Sequence, residues 1–141
     1  MILVDTPIWS LGLRRNRSDL NPSERTVVKE LERLVRTRTA RLIGPIRQEV
    51  LSGIRDERTF QKIQEALAPF GVLGIEVEDY DRAAQFFNSL QRKGIVGTDI
   101  DLLICAVASR LEYPIFTLDQ DFKRFARHLD ISLYKLSWRR G

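Results

Sequence analysis

A chain of 141 residues, 43% hydrophobic and 30% charged, has the length and composition of one soluble globular domain with a core of its own. Its net charge of +4 permits a nucleic-acid or acidic partner without requiring one. Cys105 is the only cysteine, which excludes an intrachain disulfide and a cysteine-based zinc site.

Ile2-Leu3-Val4 is short, continuous and β-prone, the pattern of a strand buried on both faces, and Asp5 ends it. Pro7 then starts a helical turn carrying Ile8, Trp9 and Leu11, and Arg14 to Asp19 reads as an exposed polar loop. Asn21-Pro22-Ser23-Glu24 is a helix start, with a cap, a proline in the first position and an acid in the first turn. Val27, Val28, Leu31, Leu34 and Val35 follow at helical spacing. Ala40 to Ile43 reads as a second strand, and Gly44-Pro45 as the break into a short helix through Ile54 with Glu49 in its first turn. A helical stripe over 56–68 stops at Pro69, and residues 72–77 form a third strand candidate. Asp79 to Lys93 is helical, ended by Gly94. Thr98 caps the most apolar helix, which runs to about Leu111 with Asp99 and Asp101 in its opening turn. Ile115-Phe116-Thr117 is a fourth strand, Phe122 to Arg127 a short helix, and 131–134 an edge strand; Arg139 and Arg140 read as a frayed tail.

Strands alternating with helices predict a single α/β domain over residues 1–141, its mostly parallel sheet covered on both faces. No apolar stretch approaches the roughly 18 residues of a membrane span, and no leader pattern opens the chain. A cytoplasmic protein with no membrane attachment is the expectation.

In such sheets ligands bind outside the carboxyl ends of the strands. Asp5 and Asp119 fall at such ends, and Glu49 and Asp101 sit on helices able to face the same crevice. Each acid alone has a local explanation: Asp5 and Asp119-Gln120-Asp121 as turns, Thr98-Asp99-Ile100-Asp101 as a capping box. Jointly they are harder to dismiss, because carboxylates brought together are costly to desolvate beside one another. A hard divalent cation with oxygen ligands is the natural group to sit among them. Other chemistries lack their residues. There is no glycine-rich phosphate loop, and the sole histidine, His128, lies in a polar segment away from any nucleophile-like turn. Cys105 reads as core filler in an apolar helix, and the helical spacing of Trp9 gives it a packing role.

The segments Met1-Ile2-Leu3-Val4-Asp5-Thr6, Gln48-Glu49-Val50-Leu51-Ser52-Gly53, Asp101-Leu102-Leu103-Ile104-Cys105-Ala106 and Thr117-Leu118-Asp119-Gln120-Asp121-Phe122 occur in the order of a known pattern. With them the chain resembles the PIN-domain ribonucleases, and within these the VapC-type toxins of bacterial toxin–antitoxin pairs. Two departures stand out. Pro7 occupies a position where relatives often carry serine, leaving Thr6 as the hydroxyl there, and Asp99 adds an acid two residues before Asp101. Residues two apart on a helix do not share a face, so Asp101, followed by the apolar segment, is assigned to the site.

The resemblance implies a three-layer α/β/α sandwich and Mg²⁺- or Mn²⁺-dependent endoribonuclease chemistry. It implies Asp5, Glu49, Asp101 and Asp119 as the catalytic acids, with Asp121 supporting or replacing Asp119 at the metal. Thr6, Thr117 and Asp99 are candidate supporting groups around them. Arg14, Arg15 and Arg17 are candidate substrate-binding cations. The implied partners are an RNA substrate (tRNA, rRNA or mRNA), a small cognate antitoxin whose basic side chain enters the crevice, and a second copy of the chain in a homodimer. The competing reading is a PIN-like scaffold that binds RNA or protein without cutting, whose usual mark, loss of an acid, is absent. A phosphatase with an aspartate nucleophile fits poorly, since the position two residues after Asp5 is Pro7.

Overall fold

The computed structural model describes residues 1–136; Arg139 and Arg140 lie outside the described residues. Strand β1 (Ile2–Val4) occupies the centre of a three-stranded parallel sheet, between β2 (Ala40–Arg41) and β3 (Ile115–Phe116). Ile2 and Leu3 pair with Ala40 and Arg41, while Leu3 and Val4 pair with Ile115 and Phe116. Leu3 and Val4 have no exposed surface, as a central strand covered on both faces requires.

The two outer strand candidates shrink to single parallel bridges, Ile43 with Leu73 and Ile115 with Leu133. At 72–77 the reason is local. Gly71 and Gly74 bracket Leu73, and glycine weakens a strand. Glu76 then closes a capping box with Asp79, so the next helix, α5 (Val77–Gln91), starts two residues earlier than the spacing suggests. At the other edge, Ile115 N–H donates to Ser132 O and Tyr134 N–H to Ile115 O, without a longer ladder.

Helix α1 (Thr6–Arg14) begins directly on Asp5, whose Oδ1 accepts the Thr6 N–H. A 3₁₀ turn at Arg17–Asp19 leads into α2 (Pro22–Arg36). There Asn21 is the expected cap, and with Glu24 it forms a reciprocal box, 2.8 and 3.0 Å. Helices α3 (Gly44–Leu51) and α4 (Glu57–Leu67) pack with α1 and α2 as one group. Helix α6 (Asp99–Leu111) packs on α5 as the other, and the short α7 (Asp121–Ala126) follows β3. Leu102 to Ala108 are all buried, the signature of a helix covered all round.

An ion pair links α5 to α6. Arg110 donates to both oxygens of Asp79 at 2.8 and 3.0 Å and to Gly74 O at 3.0 Å, with Asp79 1% exposed. Ahead of α6, Gly97 lets the chain pass the Phe125 ring, which an added Cβ would meet at 2.8 Å. Among the described residues no helix is long and apolar enough to cross a membrane.

The strand order fixes where a crevice opens. The chain leaves β1 towards β2 on one side of the sheet and reaches β3 on the other. Right-handed crossovers in opposite directions put their helices on opposite faces, giving the three layers. Between β1 and β3 the connections therefore diverge, and the gap lies at their carboxyl ends.

Candidate active site

Asp5 stands at that gap. Its backbone N–H donates to Phe116 O at 2.9 Å, continuing the ladder to β3, and its side chain is buried. Oδ1 is fixed by the Thr6 N–H and Oδ2 by the Thr117 hydroxyl, each at 2.8 Å. The Thr117 hydroxyl in turn accepts the Asp119 N–H at 3.0 Å, and Asp119 Oδ1 accepts the Asp121 N–H at 2.9 Å. On the other flank the Thr6 hydroxyl donates to Glu49 Oε2 at 2.8 Å. One chain of hydrogen bonds thus joins Asp121, Asp119, Thr117, Asp5, Thr6 and Glu49. The Thr6 and Thr117 hydroxyls each donate to a carboxylate oxygen of this chain.

Asp101 enters from α6. Its backbone N–H donates to the Thr98 hydroxyl at 3.1 Å, the expected cap, and its side chain is half-buried. Its place among the acids shows in their titration. Burial pushes the Asp5 carboxyl up to about 6, against the Thr117 and Thr6 hydrogen bonds, and the charges of Asp101 and Asp119 push the same way. Burial likewise raises Asp101, opposed by Thr98 and reinforced by Asp119 and Glu49. Among the described residues no ion pair reaches Asp5, Glu49, Asp101 or Asp119, so the cluster carries uncompensated negative charge.

Glu49 sits in the second turn of α3 rather than the first, because that helix begins at Gly44. It is exposed, at the solvent side of the cluster. Asp121 contributes its backbone to the network, while its carboxylate pairs with Arg124 at 2.9 Å. That pairing escaped the sequence reading, although the i, i+3 spacing signals it. Asp99 is exposed and lines a groove between α5 and α6 with Tyr80, Phe87 and Asn88, on a different side of the helix from Asp101. The three arginines are engaged around the α1–α2 hairpin: Arg14 with Ser52 O, Arg15 with Asp19 O and Glu24, and Arg17 with Glu32. His128 is exposed. Trp9 is buried with its indole N–H on Val4 O at 3.0 Å. Cys105 is buried one turn beyond Asp101, and burial, then Asp101 and Asp5, pushes its thiol up, so it is an inert core group.

The donor set suits a hard cation. Among the described residues no three Asp, Glu, His or Cys side chains converge tightly enough to enclose one ion as they stand. Magnesium does not need such a cage, because it keeps several waters and binds through one or two carboxylates plus substrate phosphate. A cation here would also offset the burial cost and the mutual repulsion that raise Asp5 and Asp101.

The sequence profile of the PIN domain matches residues 2–128. The chain belongs to the PIN domain family. Solved structures agree on the fold. FitAcB from Neisseria gonorrhoeae is similar at TM-score 0.75 and 21% identity, over 96% of this chain and 97% of that one. VapBC2 from Rickettsia felis, bound to a promoter DNA fragment, is similar at 0.71 and 18%, over 95% and 98%. A toxin–antitoxin complex from Klebsiella pneumoniae is similar at 0.64 and 21%, over 86% and 90%. A comparison with curated protein sequences returns no match. In this PIN domain the four acids of the resemblance lie between β1 and α1, on α3, on α6 and in the segment after β3, at the sheet's divergence point.

Proposed function

We propose that this PIN domain is a metal-dependent endoribonuclease and the toxin of a toxin–antitoxin pair, working in the cytoplasm as a homodimer. The observation that carries the reading is the cluster itself: acids from four separated segments around a buried Asp5 whose carboxyl is pushed up to about 6, with no basic partner among the described residues. Support for the toxin assignment comes from structural neighbours that are themselves FitAB, VapBC and toxin–antitoxin assemblies.

Asp5, Asp101 and Asp119 are the residues that would hold Mg²⁺ or Mn²⁺, with Asp121 beside Asp119. When bound, such a cation supplies acidification of water and neutralisation of phosphate charge. Asp5 is oriented by two hydrogen bonds and cannot swing away. Thr117 keeps Asp5 and the Asp119 backbone in fixed relation. Glu49, exposed and steered by Thr6, is the acid best suited to accept a proton from an attacking water. Substrate is RNA, drawn from tRNA, rRNA or mRNA. The antitoxin would present a cation to the same carboxylates and compete with the metal.

The test is cleavage of a total-RNA and tRNA pool by purified protein with Mg²⁺, Mn²⁺ or EDTA, beside Asp101→Asn. Discrete fragments that require metal and vanish in the variant are expected. Metal-independent cleavage, or cleavage by the variant at the parent rate, would sink the assignment. No cleavage by metal-loaded, antitoxin-free protein would favour the PIN scaffold that binds without cutting.

A further inference from the structure

Beside the acids lies a groove of about 610 Å³, between β3, the start of α7 and residues 133–136. Thr117 and Asp119 form one of its walls, so it is continuous with the carboxylate cluster. Its volume falls in the range of small-ligand sites. The floor is apolar and firm. Phe116 and Tyr134 pack ring to ring at 5.2 Å, and the Tyr134 hydroxyl accepts from Arg33 at 2.9 Å.

The rim differs in character from the floor. Lys123 and Lys135 line the groove, both exposed, and neither takes part in an ion pair among the described residues. Leu118 is 40% exposed between Thr117 and Asp119, an apolar side chain standing beside charged ones. A ligand for this surface must offer a flat apolar face, carry negative charge towards the lysines and tolerate an acidic wall. An acidic peptide meets repulsion at Asp119. A nucleotide satisfies all three demands, since its base is apolar on both faces and its charge is confined to phosphate.

We propose that the groove is a single-nucleotide subsite, holding the nucleotide that flanks the scissile phosphate of single-stranded RNA. Its base lies over Leu118 and the apolar floor, and its phosphate meets Lys123 and Lys135. The inference rests on the nuclease reading for its substrate and adds which part of the surface grips it. Stacking on an apolar floor tolerates any base, so the subsite selects for unpaired RNA rather than for sequence.

The test uses the inert Asp101→Asn chain and a labelled single-stranded RNA oligonucleotide of mixed sequence, titrated with Mg²⁺ across a salt series. Lys123→Gln with Lys135→Gln should weaken binding about tenfold and reduce the log–log salt slope by about 1.4, two contacts at about 0.7 each. Leu118→Ser should weaken binding about threefold at an unchanged slope, because it removes apolar contact and no charge. A charge-matched pair on exposed sites elsewhere, Lys62→Gln with Lys93→Gln, should move neither. Equal shifts from the two lysine pairs, unchanged binding in the groove pair, or no RNA binding by the parent would overturn the subsite. Cleavage of the same oligonucleotide by the chain with Asp101 intact is scored separately. Groove-dependent binding without cleavage overturns the nuclease reading and keeps the subsite. Cleavage with groove-independent binding does the reverse.

Discussion

Thr117 and Asp5 are 112 positions apart in sequence, yet the hydroxyl of one donates to Oδ2 of the other at 2.8 Å. The same hydroxyl accepts the Asp119 N–H, so one oxygen sets the spacing between two acids. Thr117→Val keeps the shape and removes both bonds. It should cost about 1–3 kcal/mol, the range for buried polar groups left unsatisfied. RNA cleavage should fall about 10- to 100-fold, as when an orienting partner of a metal ligand is lost. Thr117→Ser should recover most of both, read by thermal melting and initial cleavage rates.

Asp5 gives a stability prediction whose sign runs against the usual carboxylate. Its folded-state pKa is raised from 3.8 to about 6, so the fold prefers the protonated form. Stability from this group is full below about pH 4 and is lost as pH rises through 6. A rise of that size is worth at most about 3 kcal/mol, and less where solvent still reaches the carboxyl. In EDTA, Asp5→Asn should therefore melt higher than the parent at pH 7.5 and equal to it at pH 4. A variant less stable than the parent at pH 7.5 would contradict the burial argument.

Metal should reverse that relation. Mg²⁺ or Mn²⁺ bound among the acids stabilises the charged form, so the parent should gain melting temperature with added metal in proportion to the logarithm of its concentration. Asp5→Asn should gain much less. Calorimetric scans with and without EDTA at pH 7.5 measure both.

The Asp79–Arg110 pair tests how α6 is held. Arg110→Gln leaves Asp79 buried with its charge unpaired. Removing one partner of a buried pair costs about 3–5 kcal/mol, and the lower end applies because Arg110 is itself one-third exposed. The urea midpoint should fall accordingly. Replacing both with Asn and Met should recover part of the loss, because no stranded charge remains.

Much of this was legible in the sequence where the signal is local. The Asn21 cap, the Thr98 cap and the strand Ile2-Leu3-Val4 each declare themselves within a few residues. The acids were readable as a set because each stands next to an apolar run. What escaped was decided at a distance or by competition. Residues 72–77 look like a strand, but Gly71, Gly74 and the cap at Glu76 leave only Leu73 in register. Asp79 and Arg110 are 31 positions apart with no periodicity to join them. The carboxylate of Asp121 was read with the metal ligands, yet its nearest cation is three residues on.

The parallel pairing of β1 with β3 has a consequence for the chain as it is made. Asp5 is synthesised 112 residues before its hydrogen-bond partner Thr117, and its acidic neighbour Asp119 follows Thr117. Contacts of such long separation form late. A ribosome-bound fragment ending before β3 holds Asp5 and Glu49 without Thr117 or Asp119, and has no closed cluster. The cluster therefore cannot close on a nascent chain until β3 and the segment after it have left the ribosome.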